Sequence, residues 1–117
     1  MDQTSASTVN DASDAKTIAR ILKVNHAGEC GAIRIYQAQI FVSRWRQPEL
    51  LDFLNETLGH EIQHRDLFRN AMPARNARPC RALWTWGMGG WILGALTALA
   101  GAHFVWICTE AVEETVH

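Results

Sequence analysis

Residues 82–109 contain no aspartate, glutamate, lysine or arginine, although 20% of the whole chain is charged. The 28 residues of this apolar segment are enough to span a bilayer, but five of the eight glycines and His103 interrupt it. Three arginines precede the segment and tryptophans follow them at once, an order typical of segments that rest at a membrane interface. The alternatives are a buried bundle helix, a membrane-surface segment and a membrane span, and the second is favoured.

The composition of the whole chain limits the class of protein. Its 117 residues allow one domain, and 48% hydrophobic residues exclude disorder of the entire chain. A net charge of −1 provides no basic footprint for nucleic acid, so we expect no such partner. Three cysteines leave one thiol outside any pairing, which favours a reducing compartment. Residues 1–13 are polar and predict a disordered tail that is not a targeting peptide, followed by one domain over residues 14–117.

The periodicity of apolar residues predicts helices throughout the domain. Apolar residues recur at three- and four-residue steps from about Ala15 to Trp45, which indicates a first long helix. Pro48 suits the first turn of a second helix, which ends before Pro73. A short connection makes these two helices antiparallel, and the apolar segment supplies a third. The sequence therefore predicts an all-α bundle with a membrane-associated apolar segment.

Glu61 and His64 form the sharpest local pattern that could carry chemistry. Residues three apart on a helix project from one face, so a carboxylate and an imidazole at this spacing can bind one metal ion. An ordinary solvated helix face is the alternative. However, Leu54 and Leu58 place Glu61 on the apolar stripe of the second helix, where a carboxylate needs a partner.

The same stretch also matches a different metal-binding pattern. His60, Glu61 and His64 fit His-Glu-x-x-His, in which both histidines bind zinc and the glutamate acts as the base of a metalloprotease. No third ligand follows at the usual spacing, and no strand precedes the motif to build a protease cleft. A zinc protease therefore stays as an alternative function.

Two further helices provide candidate carboxylates. Glu29 stands between glycines, and Ala32 and Tyr36 on its own face direct it toward the interior. The two flanking glycines also suggest that another element packs close to the backbone there. After the apolar segment, one of the three glutamates at positions 110, 113 and 114 is expected to face inward.

The predicted helices together present a carboxylate, a Glu-x-x-His pair and a second carboxylate. This is part of the ligand set of ferritin-like di-iron bundles, which have four ligand-bearing helices and a second Glu-x-x-His. Carboxylate-rich sites with few histidines and no thiolates suit iron or manganese better than zinc. We therefore predict a ferritin-like bundle with three long helices of an expected four.

Three blocks of this sequence resemble the demethoxyubiquinone hydroxylase family of ubiquinone biosynthesis. The first is Ile21–Tyr36 around His-Ala-Gly-Glu, the second is Glu61–His64, and the third is Gly94–Glu114 with its Cys-Thr-x-Ala-Val-Glu-Glu ending. Their order and spacing agree with the family, and together they cover most of residues 17–117. Cys30 departs from the pattern, since the family usually has tyrosine there.

The resemblance implies a site made of four metal ligands. It implies iron binding, with two ions in the complete protein, by Glu29, Glu61, His64 and Glu113, and it selects Glu113 over the neighbouring glutamates. Either Glu61 or Glu113 would bridge the two irons. Tyr36 would line the substrate pocket or order a ligand, and packing alone is its other interpretation. His26 would order Glu29, with a surface histidine as the alternative.

The resemblance also implies an activity and its partners. The chain would be a monooxygenase that hydroxylates the ring of a polyprenylated demethoxyubiquinone or demethoxyubiquinol, using dioxygen and NADH or another electron donor. It would lie on the cytoplasmic face of a bacterial inner membrane, where other proteins of ubiquinone biosynthesis are its further partners. A non-catalytic membrane-associated relative remains an alternative.

The family's second Glu-x-x-His has no counterpart before His117. We therefore expect a bundle that is incomplete at its C-terminus. We also expect weak or absent hydroxylation by these 117 residues alone.

Overall fold

The computed structural model describes the backbone of residues 3–116 and the side chains of residues 12–115. Within those limits the chain is all-helical and contains no strand, which confirms the predicted fold class. The α-helices are α1 Gln3–Arg46, α2 Leu51–Ala71, α3 Leu83–Ala100 and α4 Ala102–Val116, with short 3-10 turns at Pro48–Leu50 and Pro73–Arg75.

The boundaries of the first two helices follow local sequence signals, except at the start of α1. Gln47 leaves the helical region at φ −151°, and Pro48 opens the 3-10 turn that leads into α2. Helix α2 ends at Ala71, before Pro73 as predicted, with Met72 between them. Helix α1 begins at Gln3, earlier than the predicted start near Ala15. The disordered tail over residues 1–13 stays a prediction, because most of its side chains lie outside the described part.

Helices α1 and α2 enclose most of the core with large side chains. Tyr36 and Leu54 are fully buried and pack with Ile40, Leu50 and Val105 in one apolar cluster. The cluster therefore joins α1 and α2 to α4. The apolar stripes of the first two helices face each other across it, because both are buried from water there.

Helix α3 packs against α1 through small residues instead. Its buried positions are Gly87, Gly90, Gly94 and Ala98. A Cβ atom at Gly90 would lie 2.6 Å from the carbonyl oxygen of Gly31, and one at Gly94 would overlap the carbonyl of Ile35. The two backbones can approach this closely only because α3 has no side chains there. The predicted close packing beside Glu29 is thus confirmed for the backbone of Gly31.

The apolar segment does not form one helix, which corrects the sequence prediction. Helix α3 ends at Gly101, whose φ of +124° is a conformation that side-chain-bearing residues rarely adopt. The Gly101 carbonyl oxygen accepts hydrogen bonds from the backbone N–H groups of Phe104 and Val105, which begin α4. The chain reverses at this point, so α4 returns along α1 toward the level of Tyr36.

None of the helices between residues 3 and 116 combines the length and the apolar character needed to cross a membrane. Most of the circumference of α3 is nevertheless both apolar and exposed. Large side chains cover this outer face of α3, and they are Trp84, Trp86, Met88, Trp91, Ile92, Leu93, Leu96 and Leu99.

Candidate metal site

Three of the four predicted ligands converge in the cleft between α1 and α2. Glu29, Glu61 and His64 each offer a ligand atom, and these atoms all lie within 4.8 Å of one another. Glu29 and Glu61 are each 1% exposed, whereas the His64 side chain is 40% exposed. The Nδ1 atom of His64 lies 3.9 Å from Oε1 of Glu29. The prediction that Glu61 faces inward from the apolar stripe of α2 is confirmed.

The burial of two neighbouring carboxylates is electrostatically costly. Burial, a hydrogen bond with Glu61 and the negative charges of Glu61 and Glu113 together raise the pKa of Glu29 to about 9. Near neutral pH this site therefore holds a proton, unless a cation compensates the charge. Oxygen and nitrogen donors without thiolate fit a hard or borderline divalent metal, so the residues present fit a metal ion.

Glu113 reaches the same region from α4. It is half-buried, whereas the neighbouring Glu110 and Glu114 are exposed, so the structure distinguishes among the three glutamates as the resemblance did. The Tyr36 hydroxyl donates a hydrogen bond of 3.0 Å to Oε1 of Glu113. The charge of Glu113 contributes to the raised pKa of Glu29, although Glu113 is not among the three donors that converge within 4.8 Å.

Tyr36 itself is completely buried beside these carboxylates. Burial raises the pKa of Tyr36 well above its usual range, and the charge of Glu113 and the hydrogen bond to it act in the same direction. Thr109, which is 8% exposed, acts on the pKa of Tyr36 in the opposite direction. Thr109 is not among the residues predicted from the sequence. Its position one helical turn before Glu113 could have identified it, because residues four apart share a face of the helix.

The geometry does not support the zinc-protease alternative. His60 is exposed and does not share the group of donors that His64 joins. Glu61, which would have to act as a base in a solvated cleft, is instead buried among the other donors. His60 and His64 lie one turn apart on α2, but only Glu61 and His64 join the converging donors, so the described residues form no site that uses both histidines.

His26 is buried on α1, one turn before Glu29. Its Nε2 atom lies 3.8 Å from Sγ of Cys30. Burial lowers the pKa of His26, and the positive charges of Arg69 and Arg65 lower it further, so its imidazole is neutral near pH 7. Its surface-histidine interpretation is wrong, because only 3% of the residue is exposed. Its proposed effect on Glu29 stays a prediction.

A large apolar cavity lies on the side of α1 that faces α3 and α4, and none of the four candidate ligands is among the residues that line it. Its volume is about 860 Å³, and α1, α3 and α4 form its walls. On α1 the wall includes Gly28, which precedes Glu29, and Ala32, one turn after it; on α4 it includes Ala111 and Val112, which precede Glu113. The cavity is therefore formed by residues that neighbour two of the carboxylates in the sequence, and its apolar walls suit an apolar ligand.

Comparison with known proteins identifies one family. The family model described as ubiquinone biosynthesis protein COQ7 matches residues 16–117. A relative from Rhodospirillum rubrum, named 3-demethoxyubiquinol 3-hydroxylase, is 40% identical over 106 residues, which are 91% of this chain and 50% of the relative. The mitochondrial 5-demethoxyubiquinone hydroxylase of Saccharomyces cerevisiae is 38% identical over 106 residues, or 89% of this chain and 46% of that protein.

A third relative is the mitochondrial NADPH-dependent 3-demethoxyubiquinone 3-hydroxylase of Mus musculus. It is 36% identical over 99 residues, which are 85% of this chain and 45% of the mouse protein. The chain thus spans half or less of the length of these three relatives. With a family match over nearly all of its residues, the chain belongs to the COQ7 family of ubiquinone biosynthesis proteins.

Proposed function

We propose that this chain binds iron in a ferritin-like bundle and hydroxylates the ring of a demethoxyubiquinol-type substrate. The observation that carries the proposal is the convergence of Glu29, Glu61 and His64 within 4.8 Å, with Glu113 beside them. The names of the bacterial and yeast relatives supply the reaction class. The four residues come from three helices, as expected for part of a ferritin-like ligand set.

Iron would be held by Glu29, Glu61, His64 and Glu113, and two ions are expected in the complete protein. Three carboxylates and one imidazole suit iron or manganese, and three negative charges balance one divalent ion and part of a second. Bound iron supplies the electrons that activate dioxygen. The protein residues keep the carboxylates in place, and the surrounding apolar core limits the access of water.

The substrate would occupy the cavity between α1, α3 and α4. Its apolar walls fit an isoprenoid tail, and we place the quinone ring at the part of the wall formed by Gly28, Ala32 and Val112, the sequence neighbours of Glu29 and Glu113. A volume of about 860 Å³ is in the range of sites that enclose small organic molecules. The same orientation would place the ring carbon that is hydroxylated nearest to the metal ligands.

The outer face of α3 would rest on the membrane that contains such a substrate. Its large apolar side chains are exposed, and Arg75, Arg78 and Arg81 precede it in the chain. Apolar side chains beside arginines are typical of surfaces that bind the headgroup region. We accordingly propose peripheral association with the cytoplasmic face of a bacterial inner membrane.

Dioxygen and an electron donor would complete the reaction. The name of the mouse relative mentions NADPH, so a nicotinamide donor is the first to test, as NADH or NADPH. Other proteins of ubiquinone biosynthesis are further proposed partners, because the substrate must pass between enzymes within the membrane.

Turnover with a matched pair of variants tests the proposal. The chain, reconstituted with ferrous iron in vesicles that contain demethoxyubiquinol, is given oxygen and reductant, and the hydroxylated product is measured by mass spectrometry. We expect Glu61→Gln to abolish product, whereas Glu56→Gln on the exposed face of the same helix leaves it unchanged. We propose a wild-type rate that is weak but measurable, because the four protein ligands can hold at least one iron ion.

Two results would contradict the proposed activity. Equal turnover by the Glu61→Gln variant and the wild type would mean that the Glu61 carboxylate is not a ligand in the active site. Iron binding without any product in the presence of substrate, oxygen and reductant would favour the non-catalytic alternative.

A further inference from the structure

Tyr36 joins two helices at the edge of the candidate metal site. It lies on α1 and its hydroxyl donates to Oε1 of Glu113 on α4, a residue 77 positions later in the chain. The phenol ring is fully buried and packs in the apolar cluster with Leu54 and Val105. The position of the ring is therefore fixed by the core, and the hydroxyl is held at one point in space.

Glu113 depends on such a contact more than the other carboxylates do. Glu29 and Glu61 are each 1% exposed and are surrounded by packed helices, whereas Glu113 is half-buried. A glutamate side chain has three rotatable bonds, so a half-buried one adopts several rotamers unless a hydrogen bond selects one.

We infer that Tyr36 is a positioning residue for the metal site, because its buried hydroxyl fixes Oε1 of Glu113 and so turns Oε2 toward Glu29. This inference rests on the proposed function in that it needs a metal at the four ligands. An oxygen that accepts a phenol hydrogen bond is a weaker metal donor than a free one, so the bond favours metal binding through the other oxygen of Glu113. Because Tyr36 already restricts the Glu113 rotamer, it also reduces the loss of side-chain entropy when the metal binds.

The competing interpretation is that Glu113 only satisfies the hydrogen-bonding need of the Tyr36 hydroxyl. A phenol hydroxyl in an apolar core needs a hydrogen-bond partner, and a nearby carboxylate would satisfy it without any consequence for metal binding. In that case, removal of the hydroxyl changes the stability of the metal-free protein and leaves metal affinity unchanged. The two interpretations therefore differ in a property that can be measured.

The experiment is an anaerobic titration of the 117-residue chain with Co²⁺, a spectroscopic probe whose visible ligand-field bands report on the ligand set. Tyr36→Phe keeps the ring and removes only the hydroxyl. We expect this variant to bind Co²⁺ about tenfold more weakly than the wild type and to show altered ligand-field bands, in the range seen when the hydrogen-bond partners of metal ligands are removed. Circular dichroism verifies that the variant is folded.

Ser43→Ala is the matched control. It removes another fully buried hydroxyl from α1, one that accepts a hydrogen bond of 3.1 Å from the side-chain amide of Gln47. We expect wild-type affinity and bands for this variant. A double variant sharpens the test: if Tyr36 acts through Glu113, Tyr36→Phe combined with Glu113→Gln binds Co²⁺ no more weakly than Glu113→Gln alone.

Unchanged affinity and bands in Tyr36→Phe would overturn the inference and leave the proposed function intact. Equal losses in Ser43→Ala, or independent losses in the double variant, would also overturn it. If the wild-type chain binds no Co²⁺, both the metal site and this role for Tyr36 are wrong. If it binds Co²⁺ but performs no hydroxylation with iron, the proposed activity fails while the comparison of the variants still decides the role of Tyr36.

Discussion

Helices α2 and α3 both pack against α1, but they place opposite kinds of side chain in the contact. Helix α2 turns Leu54 and the carboxylate of Glu61 inward and leaves polar residues such as Glu56 outside. Helix α3 turns glycines and Ala98 inward and leaves its large apolar residues outside. The first contact has the pattern of a water-soluble bundle, and the second has the reverse. The proposed association of the outer face of α3 with a membrane would account for this difference.

The two helix contacts also differ in their physical role. The contact with α2 holds buried charge, which must be compensated and which therefore suits a metal site. The contact with α3 brings backbones close together and leaves an apolar cavity and an apolar surface beside it.

The largest expected effect comes from the same substitution in the two helices. Leu54 is fully buried and Leu96 is 60% exposed. We expect Leu54→Ala to lower the free energy of unfolding by about 2–5 kcal/mol, because it leaves a cavity in the core. Leu96→Ala should change it by less than about 0.5 kcal/mol. Urea unfolding followed by circular dichroism measures both; similar losses would mean that the outer face of α3 is buried in the folded protein.

The glycine contact of α3 gives the next effect. Gly94→Ala forces a Cβ atom into the Ile35 carbonyl, and we expect a loss of about 1–3 kcal/mol from overpacking. Gly89 lies on the same helix and has nothing within 4 Å of its Cβ position, so Gly89→Ala should gain up to about 1 kcal/mol of helix stability. Thermal unfolding of both variants is the measurement, and equal stability would contradict the close approach of α1 and α3.

The carboxylates between α1 and α2 predict a pH dependence. The pKa of Glu29 is about 9 in the folded chain, against an ordinary value of 4.5, so the folded state holds the proton more tightly. In the presence of a chelator, the contribution of Glu29 to stability is complete below about pH 4.5 and is lost as the pH rises toward 9. Urea unfolding at several pH values measures this slope, and Glu29→Gln should reduce it. Stability that rises with pH in the wild type but not in the variant would contradict the prediction.

The smallest effect on stability belongs to the outer face of α3, where a change in membrane binding is expected instead. Leu96→Gln combined with Leu99→Gln should lower the partition onto phosphatidylcholine–phosphatidylglycerol vesicles at least tenfold, because two leucines no longer contribute to apolar burial. Leu67 on α2 is 68% exposed and provides the control, since Leu67→Gln should bind vesicles like the wild type. Vesicle flotation is the measurement, and equal binding of all three proteins would place the membrane contact elsewhere.

Much of the region around α1 and α2 was predictable from the sequence because large apolar residues mark a buried face by their spacing. Glu61 lies on such a stripe, and its burial follows from Leu54 and Leu58. The spacing could not select Glu113 from its two neighbours, because three glutamates follow the apolar segment almost without interruption. That choice came from the resemblance and agrees with the burial in the structure.

Less of α3 and α4 was predictable. The buried face of α3 consists of glycine and alanine, so its periodicity is hidden by the larger exposed residues around it. The reversal at Gly101 depends on a backbone conformation that one glycine among five in the segment adopts, and composition does not show which. The cavity depends on the separation of α3 from α4 and therefore on the same reversal.

The most direct test of the central claim is an anaerobic equilibrium titration of the chain with ferrous iron, with bound metal quantified after separation of the free ion. We expect the wild type and Glu56→Gln each to bind at least one ferrous ion per chain, and Glu61→Gln to lose this binding. No binding by the wild type, or equal binding by Glu61→Gln, would contradict an iron site at Glu29, Glu61, His64 and Glu113.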